Sequence, residues 1–511
     1  MMRWLDQITG RVTMYRLVLI CLLALVAETV LLGLVGLIPG STPVISQNPL
    51  AILVSGAILV AFSYGSSRLF GLLFKVKPHS ESSLITGLLL LFIFEPTLNP
   101  LALAGLVLAA VIASASKYLL AWHGRHIFNP AAVGAFVVAL ITPFGDFGAW
   151  WLATGWLLPL TLVLGFVVLY RTRRLPMAGV FVVVVFFITL WYYGGDFPVG
   201  QTLLLPFTTF ATIFFAAFML SEPLTLPPRR SQQLIEALVV GVIFTVPLHI
   251  GLFSFTTPQF ALLVGNAVAF AFGQRRGIRL DFLGSEKLTS TSLELSFRPQ
   301  RPIKYQPGQF MELTIPHSGA DVRGLRRTFS IASAPVETDV IRFGIRTAER
   351  PSSFKTALLD LKPGETVTAT AVGGDFLLPR DDERLLLLVA GGIGITPYMS
   401  HLSHLTGTSQ KRDIVLVYSA SSADELAYAD RLKDLDVRVL VVAPTEPITL
   451  PEHWTYLGPG PVTAALITDA VPDARNRATY ISGPPSLVHA LRPALRKAHV
   501  HSIKTDYFSG Y

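Results

Sequence analysis

The 511-residue sequence predicts an α-helical polytopic membrane domain of about ten spans, then an antiparallel β-barrel, then an α/β nucleotide-binding domain. Three observations predict this order. The chain is 51% hydrophobic and only 14% charged, where soluble domains run at about a quarter charged, and the deficit is confined to roughly residues 14–272. Basic residues occur in every second loop between the apolar runs. Beyond residue 290 the pattern changes to short alternating strands, and then to continuous apolar runs followed by glycine turns. The boundaries read from these shifts are 1–273 for the membrane domain, 274–289 for a linker, 290–380 for the barrel and 381–511 for the α/β domain.

In the first half the apolar runs fall at about 14–38, 50–73, 82–95, 100–121, 128–143, 150–170, 175–193, 201–220, 232–253 and 258–273. Most approach the ~20 residues that cross a ~30 Å hydrocarbon layer; the third and fifth are short. Arg3 and Arg11 precede the first run, and Arg68, Lys75 and Lys77 follow the second. Lys117 and Arg125, then Arg171, Arg173 and Arg174, then Arg229 and Arg230, then Arg275, Arg276 and Arg279 continue the alternation. The loops near Thr42, Thr97, Asp146, Asp196 and Thr256 carry no Lys or Arg. Basic loops face the cytoplasm, so both ends are expected inside, in a cell inner (cytoplasmic) membrane.

The formal charge of +8 is explained by these loops rather than by nucleic-acid binding. The single cysteine, Cys21, excludes a disulfide, a thiolate zinc site and a cysteine-ligated iron–sulfur cluster within these 511 residues. The first apolar run is too long for a signal-peptide core and lacks a small-residue cleavage site, so no cleaved leader is expected. Glu28 lies mid-run and is assigned no role. Lys117 is expected to snorkel to the membrane edge. His79, His123, His126 and His249 sit near run ends, which argues against paired haem ligands.

Two stretches of the membrane half carry chemistry. Phe128-Asn129-Pro130-Ala131-Ala132 combines a capping Asn with a Pro suited to a helix's first turn. The free N–H groups there favour an anionic or carbonyl-rich ligand. Ala216–Thr225, with Ser221-Glu222-Pro223 inside it, ends the eighth run on the same face. Together they resemble the RnfD/NqrB family of redox-driven membrane subunits, with Ser221-Glu222 in place of a Thr-Asp pair. That resemblance implies a flavin site. The family's covalent-flavin motif has no counterpart in the loop Pro143–Trp150, so no covalent flavin is expected. A non-covalent FMN or riboflavin is the candidate ligand, on Asn129, Pro130 and Glu222.

In the second half, Leu293, Leu295 and Phe297 alternate with polar residues, as do Met311, Leu313 and Ile315, with turns at Pro307-Gly308 and Pro363-Gly364. Arg327-Thr328-Phe329-Ser330 lies on the next strand, and Ser352-Ser353 opens a short helical pattern. Gly373-Gly374 precedes Phe376, and Leu385–Ala390 runs into Gly391-Gly392-Ile393-Gly394-Ile395-Thr396-Pro397. Thr396 and Pro397 are expected to cap and start a helix after a glycine turn that lets backbone approach a pyrophosphate. Ser482-Gly483-Pro484-Pro485 follows a later strand, and the chain ends Tyr507-Phe508-Ser509-Gly510-Tyr511.

In this order and spacing the motifs resemble the ferredoxin–NADP reductase family. The resemblance implies FAD in the barrel and NADH or NADPH in the α/β domain. Arg327 would meet a flavin phosphate, Phe329 would lie on the isoalloxazine and Ser330 would bond near its reacting nitrogen, with Thr328 in the same strand. Ser352 and Ser353 would meet the pyrophosphate, and Gly374 would close the flavin site. Gly391, Gly392, Gly394, Thr396, Pro397, Gly483 and Pro484 would hold the dinucleotide. Ser482 takes the place of a cysteine near the hydride path, and Phe508 or Tyr511 would cover the flavin. No Arg stands in Ala420–Glu425 to meet a 2′-phosphate, which leans toward NADH. No metal site is expected.

The expectation is a membrane flavoprotein oxidoreductase: NAD(P)H is oxidised through FAD, and electrons cross the membrane domain to an extracytoplasmic flavin-carrying acceptor. Two alternatives stand beside it, an NAD(P)H:quinone reductase and a transporter whose soluble half senses redox state.

Overall fold

The computed structural model describes residues 14–35, 48–76, 78–122, 125–141, 150–151, 155–246, 249–250, 253–254, 257–274, 278–317, 325–347 and 351–507. Phe508, Tyr511 and most of the loop 143–150 lie outside them. The chain divides into two compact units, Met1–Arg276 and Gly277–Tyr511.

In the first unit the helices are α1 (Met14–Val35), α2 (Pro49–Leu73), α3 (Ser80–Ile93), α4 (Pro100–Leu119), α5 (Pro130–Ala139), α6 (Leu158–Thr172) and α7 (Leu175–Tyr193). They continue with α8 (Val199–Thr208), α9 (212–220), α10 (Arg230–Thr245) and α11 (Pro258–Ala269). A shared sequence device starts many of them: Asn48-Pro49, Asn99-Pro100, Asn129-Pro130 and Thr257-Pro258 each supply a side-chain N-cap followed by proline. The cap oxygen accepts an orphan N–H, and proline has no N–H to lose there.

Five helices among the described residues are long and apolar enough to cross a membrane: α1, α2, α4, α7 and the pair Val199–Leu220. The other expected spans carry shorter helices of 10 to 16 residues. The extreme is α5, whose 10 residues rise only ~15 Å, half the hydrocarbon thickness. An apolar run therefore overstates helix length where glycine, proline or aromatic residues end the helix early. Val199–Leu220 is itself broken: Pro206 lies inside α8, Ala211 takes φ 50°, and residues Phe215–Leu220 form a π-helical turn. Glycines bring neighbours close. A Cβ at Gly134 would stand 2.5 Å from Ala109 O, and one at Gly87 2.8 Å from Val60 Cα, so α5 rides on α4 and α3 on α2.

The second unit begins with an antiparallel sheet of β1 (Ile278–Lys287), β2 (Ser292–Pro299), β3 (Phe310–Thr314), β4 (Arg326–Ser330), β5 (Ile341–Arg346) and β6 (Thr366–Gly373), in spatial order β4-β3-β6-β1-β2-β5. One bridge, Ile331↔Phe343, joins its two edges. Helix α12 (Ser353–Leu359) packs Phe354 and Leu358 against the sheet's core. The stretch 274–289, expected to be a linker, instead holds β1, paired with both β2 and β6. Its buried Leu280 and Phe282 alternate with Arg279 and Asp281, a strand pattern that the flanking charges hide.

A parallel sheet follows: β7 (Leu386–Gly391), β8 (Ile414–Ser419), β9 (Arg438–Val442), β10 (Trp454–Tyr456), β11 (Ala478–Gly483) and β12 (Ile503–Tyr507), in order β10-β9-β8-β7-β11-β12. In β7, Leu386, Leu388 and Ala390 enter one core cluster, while Leu387 and Val389 enter another. Helices on both faces explain its unbroken apolar run. The strand order reverses between β7 and β11, which opens a crevice at their carboxyl ends.

Candidate functional sites

On β4 the side chains alternate. Arg327 and Phe329 pair with the fully buried Leu313 and Met311 of β3, so both turn toward the sheet's core, while Thr328 is exposed. The Phe329 ring is stacked on Phe354 at 6.0 Å and tilted on Phe343 at 6.2 Å. The Arg327 guanidinium stands 5.2 Å over the same Phe354 ring and donates to Arg326 O at 2.6 Å. Phe354 thus collects Arg327, Phe329 and the start of α12 in one place. There Ser352 Oγ accepts the Lys355 N–H at 3.3 Å as the N-cap, with Ser353 beside it.

Ser330 is buried and turns the other way, its Oγ 3.5 Å from Asp506 Oδ2, the outer limit of a hydrogen bond. Asp506 is the register partner of Ser482 across β11 and β12. Strand register thus sets Ser482 opposite the residue whose carboxylate Ser330 approaches, some 150 residues away in sequence. Ser482 Oγ is fully buried with no hydrogen-bond partner among the described residues. Sequence reasoning missed Asp506; its signal was an acid on the last strand, just ahead of the terminal aromatics.

The glycine turn after β7 is built by close packing. A Cβ on Gly394 would stand 2.5 Å from Ser482 O and 2.6 Å from Gly483 Cα. Gly391 faces Leu487 and Pro484 in the same way, and Gly483 lies against Gly391 with φ +154°. Gly392 has φ +54° and open space where a Cβ would project, a free cradle at the crevice mouth. Helix α13 (Thr396–Gly407) starts at Thr396. Thr396 is not the N-cap expected: it is the first helical residue, its hydroxyl donating to Ile393 O at 2.7 Å, and Pro397 follows in the first turn. The 3₁₀ turn Gly392–Ile395 supplies the entry that a cap would otherwise make.

Between the two sheets of this unit lies a buried imidazole. His401 on α13 is 1% exposed, and its Nε2 lies 3.0 Å from Phe376 O. Burial pushes its pKa down to about 3, so it stays a neutral donor and has no acid–base part at neutral pH. Gly308, with φ +83°, makes room for it; a Cβ there would meet Phe376 O at 2.2 Å. Gly374, at φ +114°, lies against Phe310.

In the first unit the two resemblance-bearing stretches meet in one pocket of about 670 Å³, counting its open mouth. Asn129, Pro130, Glu222 and Pro223 line it, with Ser82 and Phe218. Asn129 Nδ2 donates to Glu222 Oε2 at 2.8 Å, while Asn129 Oδ1 caps α5 at Ala132 N, 3.1 Å. Arg125, read as a topology marker, and His126, read only as a run-end histidine, complete the joint. His126 Nε2 lies 3.0 Å from Glu222 Oε1. Arg125 donates to Pro223 O at 2.9 Å and to Leu224 O. Lys117 Nζ donates to Ser82 O and Oγ, in the first turn of α3, at 3.1 and 3.2 Å. Glu28 does not line the pocket. Among the described residues no cluster of His, Cys, Asp and Glu could hold a metal.

Residues 388–492 match the family described as the oxidoreductase NAD-binding domain. The matched stretch runs from β7 into the helix that follows β11 and so lies within the second unit. The chain is 27% identical over 223 residues to the reductase component of propane 2-monooxygenase from Mycolicibacterium goodii, covering 42% of this chain and 62% of that one. It is 26% identical over 189 residues to one component of the Na(+)-translocating NADH-quinone reductase of Chlamydia muridarum, covering 28% of this chain and 44% of that one. It thus spans less than two thirds of these relatives' own lengths. Among solved structures, the Amycolatopsis cytochrome P450 reductase GcoB aligns over 46% of this chain and 71% of its own, at 23% identity and a TM-score of 0.40.

Proposed function

We propose that this protein is an NAD(P)H-dependent flavin oxidoreductase, anchored by about ten spans in the inner membrane with both ends in the cytoplasm. Electrons leave through its RnfD/NqrB-like first unit to an extracytoplasmic flavin-carrying acceptor. The supporting observation is the pocket that joins Asn129 to Glu222 across 93 positions of sequence, on a chain whose other unit is reductase-type.

The residues present fit the groups this function needs. The open Gly392 cradle follows β7 where the strand order reverses, the place where a dinucleotide binds in such sheets, and the buried, unpartnered Ser482 hydroxyl sits near the end of the neighbouring β11. A flavin, when bound, accepts a hydride from reduced nicotinamide and releases electrons singly. Arg327, beside Ser352 and Ser353, would hold a flavin phosphate by charge-assisted bonds. Phe329, locked by Phe354, would give apolar cover, and Ser330 would orient the reacting edge with Asp506 behind it. The glycine turns Gly391–Pro397 and Gly483-Pro484 would carry the dinucleotide, NADH in preference to NADPH. In the membrane pocket, Asn129, Pro130 and Glu222 would hold non-covalent FMN or riboflavin.

The test uses the full chain in sealed vesicles, with NADH on the reductase side and an impermeant acceptor trapped inside. Reduction of the trapped acceptor supports outward transfer. Reduction of added quinone alone supports a quinone reductase, and no NADH oxidation supports the sensor alternative.

A further inference from the structure

Helix α10 buries a carboxyl group that the electron route does not use. Glu236 is 0% exposed, and neither of its oxygens has a hydrogen-bond partner among the described residues. It sits against α11, where a Cβ on Gly265 would stand 3.5 Å from Glu236 Oε1. The next residue, Asn266, is 1% exposed. Its carboxamide approaches the Glu236 carboxyl as a hydrogen-bonding neighbour, though its Nδ2 falls short of strict hydrogen-bond geometry there. At its other end, Asn266 Oδ1 accepts the Asn129 N–H at 2.8 Å. Asn129 in turn donates to Glu222 in the pocket. The series Glu236, Asn266, Asn129, Glu222 therefore runs from a sealed acid to the pocket through buried polar groups.

An ionised carboxylate sealed from water costs several kcal/mol unless it is paired and hydrogen-bonded. The charged group that faces Glu236 from the N-terminal end of α7 is its N-cap residue Arg174, whose Nε is also without a partner. Arg230, on α10 itself, acts on Arg174. Helix α11 brings no charged side chain. A tight ion pair between Glu236 and Arg174 would satisfy both groups, and the structure does not form one.

We propose that Glu236 is a proton-binding site: its carboxyl holds a proton at neutral pH, and Asn266 couples that group to the pocket at Asn129. The coupling rests on the reading that the pocket holds the electron-carrying ligand; the protonated acid does not. Negative charge arriving in the pocket draws on the Asn129 amide, weakens its bond to Asn266 Oδ1, and so changes the field at the Glu236 carboxyl.

Infrared spectroscopy of the full-length protein in membranes tests both halves. The wild type should show the carbonyl-stretch band of a neutral carboxylic acid that is lost in Glu236→Gln. Superimposable spectra overturn the proposal. If Glu236→Gln does not accumulate, Glu236→Asp should displace the same band, and an unmoved band overturns it equally. Adding NADH should shift the band in the wild type, whereas Asn266→Ala should keep the band and lose the shift. A wild-type band that ignores NADH in samples whose membrane unit carries flavin overturns the coupling. The same null result without flavin there points to failure of the pocket reading instead.

Discussion

In the proposed reductase, Asp506 is the residue placed between the two cofactor strands. It is paired in register with Ser482 and lies within reach of Ser330, so it would link the strand proposed to hold flavin to the turn proposed to hold nicotinamide. Asp506→Asn should slow reduction of bound flavin by NADH by about tenfold, below the ~10²–10⁴-fold of a group that itself transfers the proton, as befits a positioning role. Stopped-flow bleaching of the flavin band would measure this, with circular dichroism unchanged. His401 carries the pH prediction. Its folded pKa, about 3, lies below the 6.5 of an exposed imidazole. The unfolded chain therefore binds a proton that the native state refuses. Stability from this group is full above about pH 6.5 and falls as pH drops toward 3, at up to about 1.4 kcal/mol per pH unit. His401→Gln should flatten that acid limb in denaturant titrations. The motif order along the chain pointed to Ser330 and Ser482. The carboxylate near them was not legible, because only strand register sets Asp506 opposite Ser482.

At the level of elements, the turn between β7 and α13 is set by backbone contact. Gly394→Ala would press a methyl to 2.5 Å from Ser482 O, and a carbonyl in a strand turn has little room to yield. The variant should lose about 1–3 kcal/mol and bind NADH more weakly, read by thermal unfolding and by KM. The first and last boundaries of helices were the hardest to read from sequence. Hydropathy runs placed α3, α5 and α11, and of the three only α5 is much shorter than its run: α3 keeps the 14 residues expected and α11 continues into a π-helical turn, whereas α5 stops at 10 residues. The stretch 274–289 failed for the opposite reason. Its Arg, Asp, Glu and Lys suggested a linker, yet they occupy the solvent-facing alternate positions of β1 and its charged end.

For the whole molecule, the two units were legible because their compositions differ so strongly, and the division at Arg276 follows that change. The pocket of the first unit was legible only as two short motifs. That Arg125 and His126 clamp the Glu222 loop needed three-dimensional placement, since 96 positions separate His126 from Glu222. The central claim, that electrons enter at the cytoplasmic unit and leave through the membrane unit, predicts that these two activities can be separated. In sealed vesicles of Glu222→Gln, NADH-driven reduction of a soluble dye on the cytoplasmic face should stay at the wild-type rate, while reduction of a trapped acceptor falls at least tenfold. Equal loss of both activities, or loss of neither, would contradict it.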